Sequence, residues 1–297
     1  MHLDGFIVLA GALVGFAVGL TGMGGGALMT PVLVLLLHVQ PGAAVSSDLV
    51  ASFFMKPVGG AVHLRRGTVH LRLVGWLVAG AAPAAFAGAA LLNLLAKGHA
   101  LQDDIRLGLG AALLLAVAGI VLRALTRSRA QRDDEGAGSW PEVRPVPTVL
   151  IGAAGGAIVG MTSVGSGSLM IVALMFLYPS LSGRRLVGTD LVQSIPLVGS
   201  AALGQLLFGH VQLGVTASLL IGSLPAVYVG ARLSAVAPSR FTRPAIAVVL
   251  LLSALKLVGV PTAALLPALA AGAVLAATPS VIQRVRRSRR KELATAT

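Results

Sequence analysis

The chain has 297 residues, 56% of them hydrophobic and only 11% charged, with a formal net charge of +13. So much apolar surface exceeds what a soluble core of this size needs and points to an integral membrane protein. The chain contains no cysteine, which excludes disulfides, thiol chemistry and thiolate metal sites.

The start, "MHLD", lacks the basic region of a signal peptide, so the first apolar run is expected to stay in the mature protein. That run belongs to a segment, 6 to 37, broken by "GLTGMGGGALM". Helices are expected next at 46 to 64, 70 to 95 and 105 to 125. The polar stretch Thr126 to Pro147, rich in Gly and Pro, reads as a solvated linker. A second broken segment, 147 to 177, contains "GMTSVGSGSLM", and helices follow at 186 to 206, 212 to 234 and 241 to 258. A last run, 262 to 282, precedes the basic stretch "RVRRSRRK". The apolar runs approach the roughly 20 residues that cross a bilayer as helix. They lack the period-2 alternation of a barrel, so the expected class is an all-α polytopic membrane protein.

The two breaks are related. At an offset of 141, Gly15, Gly19, Thr21, Gly24, Gly26, Leu28 and Met29 fall on Gly156, Gly160, Thr162, Gly165, Gly167, Leu169 and Met170. At 142, Asp48, Leu49, Val50 and Ser52 fall on Asp190, Leu191, Val192 and Ser194, and Pro83 on Pro225. An internal duplication follows. It divides the chain into a first repeat at 1–125, a linker at 126–147, a second repeat at 148–258, an extra helix at 259–283 and a basic tail at 284–297.

Charge placement orients the halves. In the first, basic loops follow the second element (Arg65, Arg66, Arg72) and the fourth (Arg123, Arg127, Arg129, Arg132); in the second, Arg184 and Arg185 precede the second element and Arg240 and Arg243 follow the third. Placing these clusters in the cytoplasm gives an inverted-topology repeat, with Lys97 and Arg106 as the exceptions. The N-terminus is then outside and the C-terminus inside. Each broken segment must enter and leave on one side, because its first piece, with about 15 residues, is short of a ~30 Å layer. Two re-entrant hairpins and seven full crossings of a bacterial plasma (inner) membrane are expected.

Glycine at the hairpin tips turns the chain and lets backbone approach a ligand. Each tip also begins a helix whose free N–H groups suit an anion. The candidate binding residues are Thr21, Gly22, Met23, Gly24, Gly25 and Gly26 in the first tip. In the second they are Thr162, Ser163, Gly165, Ser166, Gly167 and Ser168. Gly15, Gly19, Gly156 and Gly160, spaced four apart, read instead as close helix packing.

The motifs "GLTGMGGGALMTPVL", "GMTSVGSGSLM", "SSDLV" and "GTDLV" resemble the TauE/SafE sulfite-exporter family of membrane permeases, over about residues 5 to 258. The resemblance implies export of sulfite or a small organosulfonate, whereas the residues themselves argue only for an anion.

Asp48 and Asp190, preceded by Ser47 and Thr189, are expected at helix starts, either as caps or as gating or proton-coupling carboxylates. Lys56 has Val198 as its repeat mate, so its charge breaks the symmetry. It attracts the substrate, pairs with an aspartate or snorkels. Gln193 and Gln205 suit interhelical hydrogen bonds. A rival reading is an intramembrane hydrolase with Ser166 as nucleophile and His210 or His63 as base. A non-transporting membrane scaffold is a third. No catalytic residue, metal ligand or cofactor is assigned on the leading reading. The partners expected are the small anion, the lipid bilayer and, as an open alternative to the monomer, a second copy in a homodimer; nucleic acid is not among them.

Overall fold

The computed structural model describes residues 4–21, 25–95, 99–130, 140–167, 169–209, 211–233 and 239–261. Helix is the only regular secondary structure among them. The elements are α1 Gly5–Thr21, α2 Gly26–Leu35, α3 Pro41–Arg65, α4 Leu71–Leu95, α5 His99–Ala130, α6 Pro145–Thr162, α7 Leu169–Leu177, α8 Gly183–Phe208, α9 Leu213–Leu233 and α10 Ser239–Leu257. Gly22, Met23, Gly24, Ser168 and His210 lie outside the described residues, as do the run expected at 262 to 282 and the basic tail.

The expected helices exist, but several begin earlier or end later than the sequence suggested. α3 opens with Pro41, whose fixed φ suits a first helical turn and whose missing N–H needs no partner there. α8 opens at Gly183 behind Ser182, an N-cap whose hydroxyl accepts from the Arg185 N–H at 3.4 Å. α6 also starts on prolines and has 18 residues rather than about 15, so by length and composition it can cross a bilayer. The other candidate spans are Leu71–Leu94, Arg185–Phe208 and Leu213–Gly230.

Both ends of the expected linker are helical. α5 continues to Ala130, and Pro145 to Pro147 belong to α6. Between them Val143 is buried and the Arg144 N–H donates to Tyr178 Oη at 2.9 Å. The Arg185 guanidinium lies 4.2 Å over the Trp140 ring, and that ring meets His70 edge-on at 4.9 Å between centroids. Val143 buries, and the Trp140 ring, though exposed, is held between Arg185 and His70, contacts that a purely polar connection would not make.

Packing links the halves in a reciprocal way. α1 packs most extensively on α9, and α6 on α4; α3 crosses α8, and α5 lies against α10. Glycines allow both of the largest contacts. A β-carbon at Gly15 would come 2.7 Å from the Ser223 carbonyl oxygen, and one at Gly156 would overlap the backbone of Ala81. In return, Gly222 and Gly230 make room for Val8 and Phe16, while Gly80 and Gly88 make room for Val149 and Ala157. This is the small-residue packing of helices in lipid, where close backbone approach replaces a hydrophobic drive. The periphery is correspondingly apolar: Phe6, Leu13, Leu71, Leu150, Leu207 and Leu213 are exposed. Water would penalise that surface and hydrocarbon does not.

Candidate functional site

The second break is built by its own backbone. α6 ends at Thr162, and Ser163 adopts the left-handed conformation, φ 59°, with its N–H returned to the Val159 carbonyl at 2.7 Å. Gly165 and Gly167 have φ of 116° and 104°, values that side chains disfavour. The Thr162 hydroxyl donates to the Ile158 carbonyl at 2.6 Å and accepts from the Val164 N–H at 3.2 Å. It closes the turn. In the first break, the N–H groups of Leu28 and Met29 bond the Gly25 carbonyl at 3.0 and 2.9 Å, and no side chain caps α2. The two breaks touch: a β-carbon at Gly26 would overlap the carbonyl oxygen of Ser163.

α3 passes beside this contact and supplies Asp48 and Lys56. Asp48, fully buried, accepts from Thr30 Oγ1 at 2.6 Å and Ser163 Oγ at 2.9 Å on Oδ2, and from Ser52 Oγ at 3.2 Å on Oδ1. Buried Lys56 donates from Nζ to Ser166 Oγ at 2.7 Å. Its ammonium also interacts electrostatically with Asp190 and, less strongly, Asp48. Asp190 is buried on α8 and accepts from Gln193 Nε2 at 3.0 Å. One cation therefore stands among two carboxylates in a dry setting.

These positions correct one expectation. Asp48 and Asp190 do not cap helices, because each is the eighth residue of its helix, two turns in. Of their neighbours, Thr189 Oγ1 accepts from the His70 N–H at 3.1 Å, while Ser47 Oγ is buried with no hydrogen-bond partner. Lys56 does not snorkel, since its amine is turned onto the second break. The structure brings Ser163, Ser166, Gly26, Asp48 and Lys56 together, and it bonds Thr162 elsewhere. His63 Nδ1 lies 2.9 Å from Thr68 Oγ1, so one of the two bases expected for a hydrolase is engaged away from Ser166, while the other, His210, lies outside the described residues.

Several participants escaped the sequence reading. Thr30 lies within the first glycine-rich motif and Ser52 among the repeat matches, yet the motif and the match assign neither a role; Ser52 is four residues after Asp48, a helical spacing that could have found it. A second network lies between α3, α4, α6 and α8. Gln205 Oε1 accepts from Ser46 Oγ and Asn93 Nδ2, both at 2.7 Å, and its Nε2 donates to the Gly160 carbonyl at 3.4 Å.

The family model described as "Sulfite exporter TauE/SafE" matches residues 7–257, from α1 to the last residue of α10. The chain belongs to the TauE/SafE sulfite exporter family. It is 38% identical over 253 residues to "Probable membrane transporter protein YjnA" of Bacillus subtilis (strain 168), covering 85% of this chain and 98% of that relative. It is 29% identical over 255 residues to "Probable membrane transporter protein YdhB" of the same organism, covering 83% and 99%. No solved structure matches it. This TauE/SafE chain is thus a multi-pass helical membrane protein of a transporter family, and the family match takes in both breaks together with Asp48, Lys56 and Asp190.

Proposed function

We propose that the chain is a permease exporting a small anion, sulfite or an organosulfonate, by alternating access around the two glycine-rich breaks. The observation that carries this reading is the Lys56–Ser166 bond, which holds a buried ammonium at the interruption of a discontinuous helix. Discontinuous helices near the midplane are a recurrent transporter device for charged substrates, and a buried cation in such a place supplies the attraction an anion needs. The binding set is Thr21 to Gly26 in the first break, Ser163, Gly165, Ser166, Gly167 and Ser168 in the second, and Lys56. Asp190 is the carboxylate we assign to gating or proton coupling.

The exchange of partners between halves, α1 with α9 and α6 with α4, supports an inverted repeat whose halves rock about the α3–α8 crossing. The location proposed is the bacterial plasma membrane, with the N-terminus outside. An inside-negative potential favours outward movement of an anion by about 2.3 kcal/mol per charge per 100 mV, so export can run without a coupling ion.

Flux into proteoliposomes tests the reading with sulfite, thiosulfate, sulfoacetate and chloride. Protein-dependent flux of one of the sulfur anions above chloride, lost in Lys56→Met, is expected. Flux no greater than in empty liposomes for all of them would overturn it. The hydrolase reading retains one favouring observation, because Lys56, rather than a histidine, stands beside the Ser166 hydroxyl. Covalent labelling of Ser166 by a fluorophosphonate would favour it over the permease.

A further inference from the structure

We propose that Asp48 is a positioning residue: it fixes the second break against α3 so that Ser166 stands beside Lys56. The inference rests on the reading of that break as the substrate site. Asp48 and Lys56 are eight residues apart on one helix, and each binds one serine of the short span Ser163 to Ser166. Two bonds from one rigid helix set both the position and the rotation of that span. The Asp48 bond is the one that orders the turn, because Ser163 is the residue held in the left-handed conformation and pressed against Gly26. Thr30 ties the same carboxylate oxygen to α2, so Asp48 joins the helix after the first break to the start of the second.

The donors show what the carboxylate needs to be. Ser163 and Thr30 both donate to Oδ2, and only Ser52 donates to Oδ1. An asparagine can reproduce this pattern. Its amide oxygen accepts from Ser163 and Thr30, and its NH₂ donates to Ser52, whose hydroxyl rotates to accept. Alanine offers none of these bonds. The charged groups facing the site are Lys56 on α3 and Asp190 on α8, while α2 and the second break contribute hydroxyls. A proton carrier at position 48 would behave in the opposite way, since asparagine cannot take up and release the proton.

The chain has no cysteine, so a reporter thiol can be placed at buried Val164, between the two bonds. In Val164→Cys protein, adding Asp48→Ala should raise the maleimide labelling rate by about tenfold as the break opens locally. Asp48→Asn should leave the rate near that of the parent, and Ser163→Ala should raise it as Asp48→Ala does. Combined, Asp48→Ala and Ser163→Ala should cost no more than either alone. In flux assays, Asp48→Asn should raise KM less than Asp48→Ala and Ser163→Ala do, and its rate should still vary with pH. Equal labelling in all variants, or an Asp48→Asn protein with a flattened pH profile, would overturn the proposal. The labelling arm needs no transport substrate, so it stands or falls separately from the anion reading.

Discussion

The ammonium of Lys56 lies 2.7 Å from the hydroxyl of Ser166, 110 residues further along the chain and across the two halves. An ammonium has three donors and a serine hydroxyl one. On the permease reading proposed above, the donors that this bond does not use are the ones offered to an oxygen-bearing anion.

Lys56→Met removes that charge and leaves Asp190 and Asp48 without their buried cation. Loss of substrate affinity is expected, with a destabilisation of about 3 to 5 kcal/mol from the carboxylates left uncompensated. Lys56→Arg keeps the charge but not the geometry and should retain part of the affinity. Adding Asp190→Asn to Lys56→Met should restore the melting temperature in detergent without restoring transport. Normal affinity in Lys56→Met would remove Lys56 from the substrate site.

Glycine substitutions at the breaks act through conformation and space. At Gly165, φ is 116° and a β-carbon would come 3.1 Å from Leu169 Cδ1, so Gly165→Ala should cost about 1 to 3 kcal/mol in backbone strain. Gly26→Ala places a methyl group on the Ser163 carbonyl and should displace the second break from Asp48. Both variants should lose flux, with Gly26→Ala the more severe. Melting curves beside flux measurements check the order.

Gln205 tests the polar contact away from the breaks. Gln205→Leu removes the shared acceptor of Ser46 and Asn93, which keep their bonds to the Gly42 and Ala89 carbonyls, so the expected cost is about 0.5 to 1.5 kcal/mol for each hydrogen bond lost. Gln205→Glu keeps the acceptor and should be milder in thermal melts.

Single cysteines and an impermeant maleimide test the orientation. The inverted arrangement requires the loops at Arg65 and Arg184 to label from the same, cytoplasmic side. Labelling from opposite sides would refute it.

Helix positions were readable because apolar runs, prolines and glycines are local signals. The repeat exposed both breaks, since its matches include the unusual Asp and Pro positions. Helix starts were read too late where the first turn is polar or small. Pro41 at the head of α3 and Ser182 before α8 are recognisable start signals, and giving them weight would have placed Asp48 and Asp190 two turns inside. The partners of Asp48 were not readable, because Thr30 and Ser163 reach it through tertiary packing that leaves no local pattern. Thr162 shows the reverse limit: a hydroxyl beside a glycine-rich turn looked free, and the turn itself takes it up.

The pairing of α1 with α9 and of α4 with α6 constrains how the chain is made. Synthesis delivers α1 first, yet the helix that fits its glycine face follows only after α2 to α8. The α4–α6 contact can close much sooner, with only α5 and the linker intervening. Long-range contacts of the first kind form slowly and leave an unpaired surface exposed meanwhile. The nascent protein therefore carries α1 without its main partner for most of translation, and a release or pause before α9 would strand the half-built chain with one of its two most extensive seams open.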